Sequence, residues 1–321
     1  MTAPVAIADG LYRVDAPLGA RFASLYLVVG STSVLLFDTG IDGTIPSHVI
    51  PALESIGAEP RDVKTVVVSH CDVDHFGGVA DAREQFSNAS ILAHPLDRPA
   101  IESYATYVRQ RGDSFLAEYG WAEDRAVLDW CRSVTRETRL DGDAIDGQAI
   151  DLGDRQAVVW HVPGHSRGHT AIEVPAVNAI LVSDAVLGAS VDLADGTPAF
   201  PPTYRYVDDY LGTITRLESA GHDLLLTAHY PQLEGASAAG FLAESREFTD
   251  RLDGLVADAL TAEVTLAELL AELNPIAGAW PVDGTAGALA FPVVGHLERL
   301  IHSGAARRSG QRDGIPTWSA A

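Results

Sequence analysis

Between positions 69 and 78 the chain reads Ser-His-Cys-Asp-Val-Asp-His-Phe-Gly-Gly, and four residues able to bind a divalent cation, His70, Asp72, Asp74 and His75, fall within six positions. A strand end followed by a tight turn can aim His70 and Asp72 one way and Asp74 and His75 another, so one loop can serve two neighbouring cations. Gly77 and Gly78 suit a backbone that must then turn closely into a helix. Imidazole and carboxylate are borderline-to-hard donors that favour zinc, manganese or iron over a soft thiolate site. Alternation along an extended segment points Cys71 away from His70 and Asp72, so it reads as packing.

A second element, Val162-Pro163-Gly164-His165-Ser166-Arg167-Gly168-His169-Thr170, sets His165 at the apex of a rigid turn. Proline fixes φ there and glycine permits close approach. His169 heads the following strand and reads as a supporting, hydrogen-bonded histidine. Asp184 and His229 each stand directly after an apolar run. Taken singly, an Asp there is a turn former and a His before Tyr-Pro carries no signal.

These residues need strand ends to hold them. Short β-branched and aromatic runs punctuated by Gly, Pro and Asp predict strands at Leu11–Asp15, Ser24–Val29, Ser33–Asp38 and Thr65–Ser69, with a helix over Ile45–Ile56. Strands resume at Ala157–Val162, Thr170–Val174, Ala179–Ser183 and Asp223–Ala228, with a helix over about Asp208–Ala220. Three of these four lead straight into His165, Asp184 or His229. Residues 96–137 carry apolar side chains at threes and fours and predict two or three inserted helices, with packing on the core favoured and a substrate-binding lid left open as the alternative. The boundaries drawn are 1–238 for the site-bearing domain and 239–321 for the rest. That remainder reads as helix to about Thr261, helix Leu266–Leu273, a Pro/Gly-containing linker, helix Val293–His302 and a hairpin over Ala305–Trp318, an order like a winged-helix unit.

Composition narrows the partners. The formal charge of −22 opposes phosphate backbones and anionic lipid, and Lys64 is the only lysine. The C-terminal segment holds eleven Asp and Glu against six Arg, so it reads as a structural appendage or homodimerisation element and not as a DNA reader. Two cysteines make no disulfide framework, and the N-terminus shows no export signal, so a cytoplasmic protein is expected. No apolar run approaches the roughly 20 residues of a membrane span, and a small molecule is the expected partner.

Five motifs in order, Asp-Thr-Gly at 38–40, the His-x-x-x-Asp-His loop, Pro-Gly-His, Ser-Asp and Ala-His, resemble the metallo-β-lactamase superfamily over roughly residues 8–235. The resemblance implies a mixed α/β (α+β) αββα sandwich with two divalent metal ions at one edge of its sheets. Carried over by position, one ion takes His70, Asp72 and His165, the other takes Asp74, His75 and His229, and Asp184 bridges them. Asp38 buttresses the loop without ligating. Here Asp72 stands where the family has histidine, which leaves zinc as the first expectation and opens manganese or iron.

Such a site implies a hydrolase of a small ester, lactone, thioester or amide, with hydroxide as nucleophile and Asp74 and Asp184 as the catalytic carboxylates. A diiron oxidoreductase acting on O2 or NO is the alternative, and a non-catalytic sensor a third. Phe200–Tyr206 follows the bridging Asp closely enough to rim the cleft, with Tyr204 and Tyr206 as oxyanion donors and Arg205 as a carboxylate clamp. His48, His161, His222, His296 and His302 stand alone on their elements and read as structural, and His94 is left unassigned.

Overall fold

A computed structural model describes residues 4–281 and 286–321. Seven strands form the first sheet in chain order: β1 (Val5–Ala8), β2 (Leu11–Leu18), β3 (Arg21–Val29), β4 (Val34–Phe37), β5 (Val63–Val67), β6 (Ser90–Ala93) and β7 (Gly142–Asp143). It is antiparallel from β1 to β4 and parallel from β4 to β7. The chain then adds β8 (Ala149–Asp151), β9 (Gln156–His161), β10 (Thr170–Val174) and β11 (Ala179–Ser183). A small ribbon of β12 (Val191–Asp192) and β13 (Pro198–Phe200) comes next, followed by β14 (Leu224–Thr227) and β15 (Leu233–Glu234). The second sheet has the order β15-β14-β11-β10-β9-β8.

The period-two alternation of strand side chains decides the layering. In β3, Tyr26 and Val28 face the interior between the sheets, while Leu25 and Leu27 face helices on the outside. In β11, Ala179 and Leu181 face inward, while Ile180 and Val182 face the opposite helical layer. Both faces of each sheet are thus covered, which is why β4 reads Val-Leu-Leu-Phe with no polar position. Full burial stabilises each such side chain by roughly 1.5–3 kcal/mol, and the result is the expected αββα sandwich.

Where sequence and structure part, local chemistry explains it. The 96–137 insertion is cut into short helical pieces, Arg98–Glu102, Tyr104–Tyr107 with its wider continuation Val108–Gly112, Leu116–Tyr119 and Arg125–Ser133, rather than two or three helices. Ser103 caps one by accepting from Thr106 N, Gly120 ends another at φ 66°, and Asp124 caps the last through Ala126 N. Each stop falls inside a stretch whose apolar spacing reads as continuous.

The C-terminal segment forms helices Ala236–Ala259, Leu266–Ala277 and Ala286–His302, then a hairpin of β16 (Ala306–Arg312) and β17 (Ile315–Ala320), with Val264 bridging to Trp318. The expected breaks at the prolines do not occur there. Pro275 and Pro292 both lie inside helices, because burial of Leu273, Leu289 and Ala290 outweighs the lost donors. Part of the expected linker, 282–285, lies outside the described residues. Phe241, Phe248, Leu252, Leu297 and Trp318 share one core with Val182 of β11 and Ile214 of helix Val207–Ala220. Among the described residues no helix is long and apolar enough to cross a membrane.

Candidate metal centre

Strand ends set the site. β5 runs into the 69–78 turn, β9 and β10 flank the Pro-Gly-His turn, β11 ends at Asp184 and β14 leads to His229. Gly164 allows that turn to press on the helix Val207–Ala220: its φ is 141°, and a Cβ there would meet the Tyr210 backbone at 2.5 Å.

The imidazoles are aimed from behind. Asp38, held at φ 67°, accepts from Ser69 N at 2.7 Å, Ser69 Oγ at 2.9 Å, Ser183 Oγ at 2.9 Å and His75 Nδ1 at 2.9 Å. The Ser69 hydroxyl, having given its proton to Asp38, accepts from His70 Nδ1 at 2.8 Å. His229 Nδ1 donates to the Phe22 carbonyl at 2.8 Å and His165 Nδ1 faces Thr203 Oγ1 at 3.3 Å. With every Nδ1 so occupied, the four Nε2 atoms are left for the front of the site.

They converge in two halves. In one, His165 Nε2 lies 3.0 Å and His70 Nε2 3.7 Å from Asp72 Oδ2. In the other, His75 Nε2 and His229 Nε2 lie 3.4 and 3.3 Å from Asp184 Oδ2, with Asp74 3.7 Å from His75 and 3.4 Å from His229. The seven predicted side chains are therefore brought together, and Asp38 stands behind them. The rings of His70 and His75 are 4.1 Å apart, so the halves adjoin.

The residues fit divalent cations. His70 Nε2, His75 Nε2 and Asp184 Oδ1 are buried with no hydrogen-bond partner, a costly arrangement unless a cation takes the lone pairs. The electrostatics of the site divide its histidines. Burial and the neighbouring His75 and His165 push His70 down. Burial alone would raise Asp184, yet His229 and His75 hold it well below the usual carboxylate range. Burial would likewise lower His75, but Asp74, Asp184 and Asp38 carry it well above its usual value. A cation binds neutral imidazole and ionised carboxylate, so His70 and Asp184 already favour the binding form, whereas His75, and His229 beside Asp184, must each release a proton to ligate.

Arg111 and Thr203 escaped the sequence, whereas His169 reads there as a supporting, hydrogen-bonded histidine and does bond to Val182 O at 3.1 Å. Arg111, from the turn Val108–Gly112 in the insertion, reaches Asp72 at 2.5 Å from Oδ1 and 2.6 Å from Oδ2. Burial would raise Asp72, but this guanidinium and the His165 hydrogen bond hold it well below the normal range. Arg111 also stacks on Phe291 of the C-terminal helix, 4.4 Å from the ring centroid. His169 stacks on His70 at 4.4 Å, and its donor atoms join those of His70 and His165 in one group that could hold a metal ion, with Nδ1 unpartnered. Thr203, facing His165 Nδ1 at 3.3 Å, is the other side chain that the sequence did not single out.

Tyr204 requires a correction. It is fully buried, stacks on Tyr210 at 4.4 Å and donates to His296 Nε2 at 2.8 Å, because its loop folds into the core instead of toward the cleft. Arg205 is held by Glu298 and, with Tyr206, lines a cavity beside the centre rather than the centre itself. His94 stacks on His161 at 4.2 Å. A cavity of about 430 Å³ opens at Asp72 and Asp74, walled by Arg21, Tyr107, Leu128, Trp130, Phe200 and Phe291. The insertion, the Phe200 loop and the C-terminal helix all supply that wall.

Comparison with known proteins agrees with this geometry. The sequence pattern of the metallo-beta-lactamase superfamily matches residues 18–229. An acyl-coenzyme A thioesterase of Homo sapiens is 27% identical over 226 residues, covering 66% of this chain and 73% of the relative. A metallo-beta-lactamase family protein of Thermus thermophilus superposes with a TM-score of 0.75 at 23% identity, over 98% of this chain and 100% of its own. A beta-lactamase domain protein of Burkholderia ambifaria gives 0.72 at 20% identity, over 99% and 94%. With that match over most of its length and this ligand set at its strand ends, the chain belongs to the metallo-β-lactamase superfamily.

Proposed function

We propose that this chain is a hydrolase that binds two divalent cations and cleaves a small-molecule thioester or ester. The observation carrying the proposal is the convergence of four imidazoles and three carboxylates with buried, unpartnered donor atoms. His70, Asp72 and His165 would hold one ion and Asp74, His75 and His229 the other, with Asp184 facing both. The bound ions, zinc first and manganese or iron as the alternatives Asp72 opens, supply an acidified water and polarise the carbonyl.

The chain's own groups do the rest. Asp74, at the mouth of the 430 Å³ cavity, is placed to take a proton at its carboxylate and return it to the leaving group. Tyr107, Leu128, Phe200 and Phe291 exclude water from the acyl side of the substrate. A thioester is favoured over the lactone and amide by the likeness to the acyl-coenzyme A thioesterase and by this apolar wall.

The test is elemental analysis of protein purified without added metal, followed by a panel of thioesters, esters, lactones and amides. Two ions per chain and thioester turnover that Asp184→Ala abolishes are expected. Turnover absent from the metal-replete protein, or equal in Asp184→Ala, overturns the reading. Two irons with a visible absorption band would direct attention to the oxidoreductase alternative.

A further inference from the structure

The cavity at the metal centre shares a wall with another. Arg111 and Phe291 line both, and the second, about 420 Å³, lies on the far side of the 70–72 turn, where Cys71 and Ser166 border it next to the ligands His70 and His165. Three guanidinium groups line this second space, those of Arg111, Arg167 and Arg205. In a chain of net charge −22 with only 22 basic residues, three around one concavity is a concentration against the prevailing sign.

Carboxylates balance the three guanidinium charges, but they do not use up the donors. Asp97 is the one carboxylate lining the cavity among the described residues, and it is buried with both oxygens occupied, by Ser166 Oγ at 2.5 Å and Gly168 N at 2.8 Å. Arg111 is engaged by Asp72 and Arg205 by Glu298, but a guanidinium has five N–H donors and these pairs use a minority of them. Arg167 is exposed, lies over the Tyr206 ring at 4.9 Å and enters no ion pair among the described residues. Gln110 and Ser114 add neutral donors at the rim. Planar forks of this kind match phosphate oxygens, and the space is large for a carboxylate alone.

We infer that this cavity is an anion subsite that takes the phosphate-bearing handle of a substrate whose carbonyl lies at the metal centre and whose acyl group fills the neighbouring apolar cavity. The inference rests on the hydrolase reading and narrows its substrate class to thioesters on a phosphorylated carrier.

Direct binding separates the two claims. Coenzyme A as a phosphorylated thiol, N-acetylcysteamine as a phosphate-free thiol and inorganic phosphate are titrated calorimetrically into wild type, Arg167→Ala, Arg167→Glu and the remote surface control Arg246→Gln. KM is then compared for one acyl group on the two thiols. Expected are coenzyme A binding weakened at least about tenfold by Arg167→Glu, equivalent to about 1.4 kcal/mol, less so by Arg167→Ala and not by Arg246→Gln. A lower KM on the phosphorylated carrier that Arg167→Glu erases is also expected. Equal KM for both carriers, inorganic phosphate binding as tightly as coenzyme A, or equal losses in the Arg167 and Arg246 variants would overturn the subsite. Arg167-dependent coenzyme A binding without thioester turnover would leave the subsite standing and overturn the hydrolase reading instead.

Discussion

Replacing Arg111 with methionine tests whether Asp72 and Arg111 act as one unit. The pair is close, 2.5 and 2.6 Å to the two carboxylate oxygens, and sparingly solvated, with side-chain exposures of 11% for Arg111 and 22% for Asp72. Methionine keeps the contact with Phe291 but leaves a largely buried carboxylate with only His165 to hold it. Removing one partner of a buried pair costs roughly 3–5 kcal/mol, and the surviving His165 bond places this case near about 3. At about 2 °C per kcal/mol for a chain of this size, Arg111→Met should melt roughly 6 °C below wild type. The double variant Asp72→Asn/Arg111→Met removes the stranded charge and should recover about half of that loss, on the order of 1–2 kcal/mol relative to Arg111→Met alone. Chelator-treated protein followed by circular dichroism keeps metal binding out of the measurement. A double variant that melts no higher than Arg111→Met, or a melt for Arg111→Met within about 1 °C of wild type, would refute the reasoning, since either means the carboxylate does not depend on its guanidinium.

Asp38 accepts four hydrogen bonds behind the site, so Asp38→Ala should free the His75 ring and reduce metal affinity or activity by roughly 10–100-fold, read as retained metal after dialysis; full retention would contradict its orienting role. The buried chain Tyr204–His296–Asp253 predicts an acid-sensitive fold. Burial lowers His296 from its usual 6.5 even though Asp253 opposes the shift, while the His296 hydrogen bond lowers Asp253 from 3.8. Both groups therefore bind fewer protons folded than unfolded, and stability is lost as pH falls below 6.5 and again below 3.8. His296→Gln should lose less melting temperature than wild type between about pH 7.5 and pH 5, and parallel slopes would count against it.

The side chains that converge at the candidate site were readable because several sit where strand patterns stop and their order matches a known family. Ala179–Ser183 is a run of apolar β-formers, so pattern fixes the element, whereas Asp184 after it reads as a turn former until the family resemblance gives it a place in the set. Arg111 was not readable, since its partner is 39 residues away and its segment is broken by Ser103, Gly120 and Asp124 into turns whose direction only tertiary packing sets. Tyr204 shows the same limit from the other side. An aromatic beside a cleft-forming loop carries no sign of which way it faces, and here stacking on Tyr210 and a bond to His296 draw it inward. Proline misled at 275 and 292 because a lost backbone donor is a local cost, whereas the burial that outweighs it is collective.

The shared core beneath the C-terminal helices has a consequence for proteolysis and for protein engineering. A cut near residue 235 would uncover Ile214 and Leu217 and strip Phe291 from the cleft, so the sandwich left behind would be both sticky and open-sided. Fusion partners and affinity handles are better hung from the exposed tip of the final hairpin, where Asp313 and Gly314 turn the chain at positive φ.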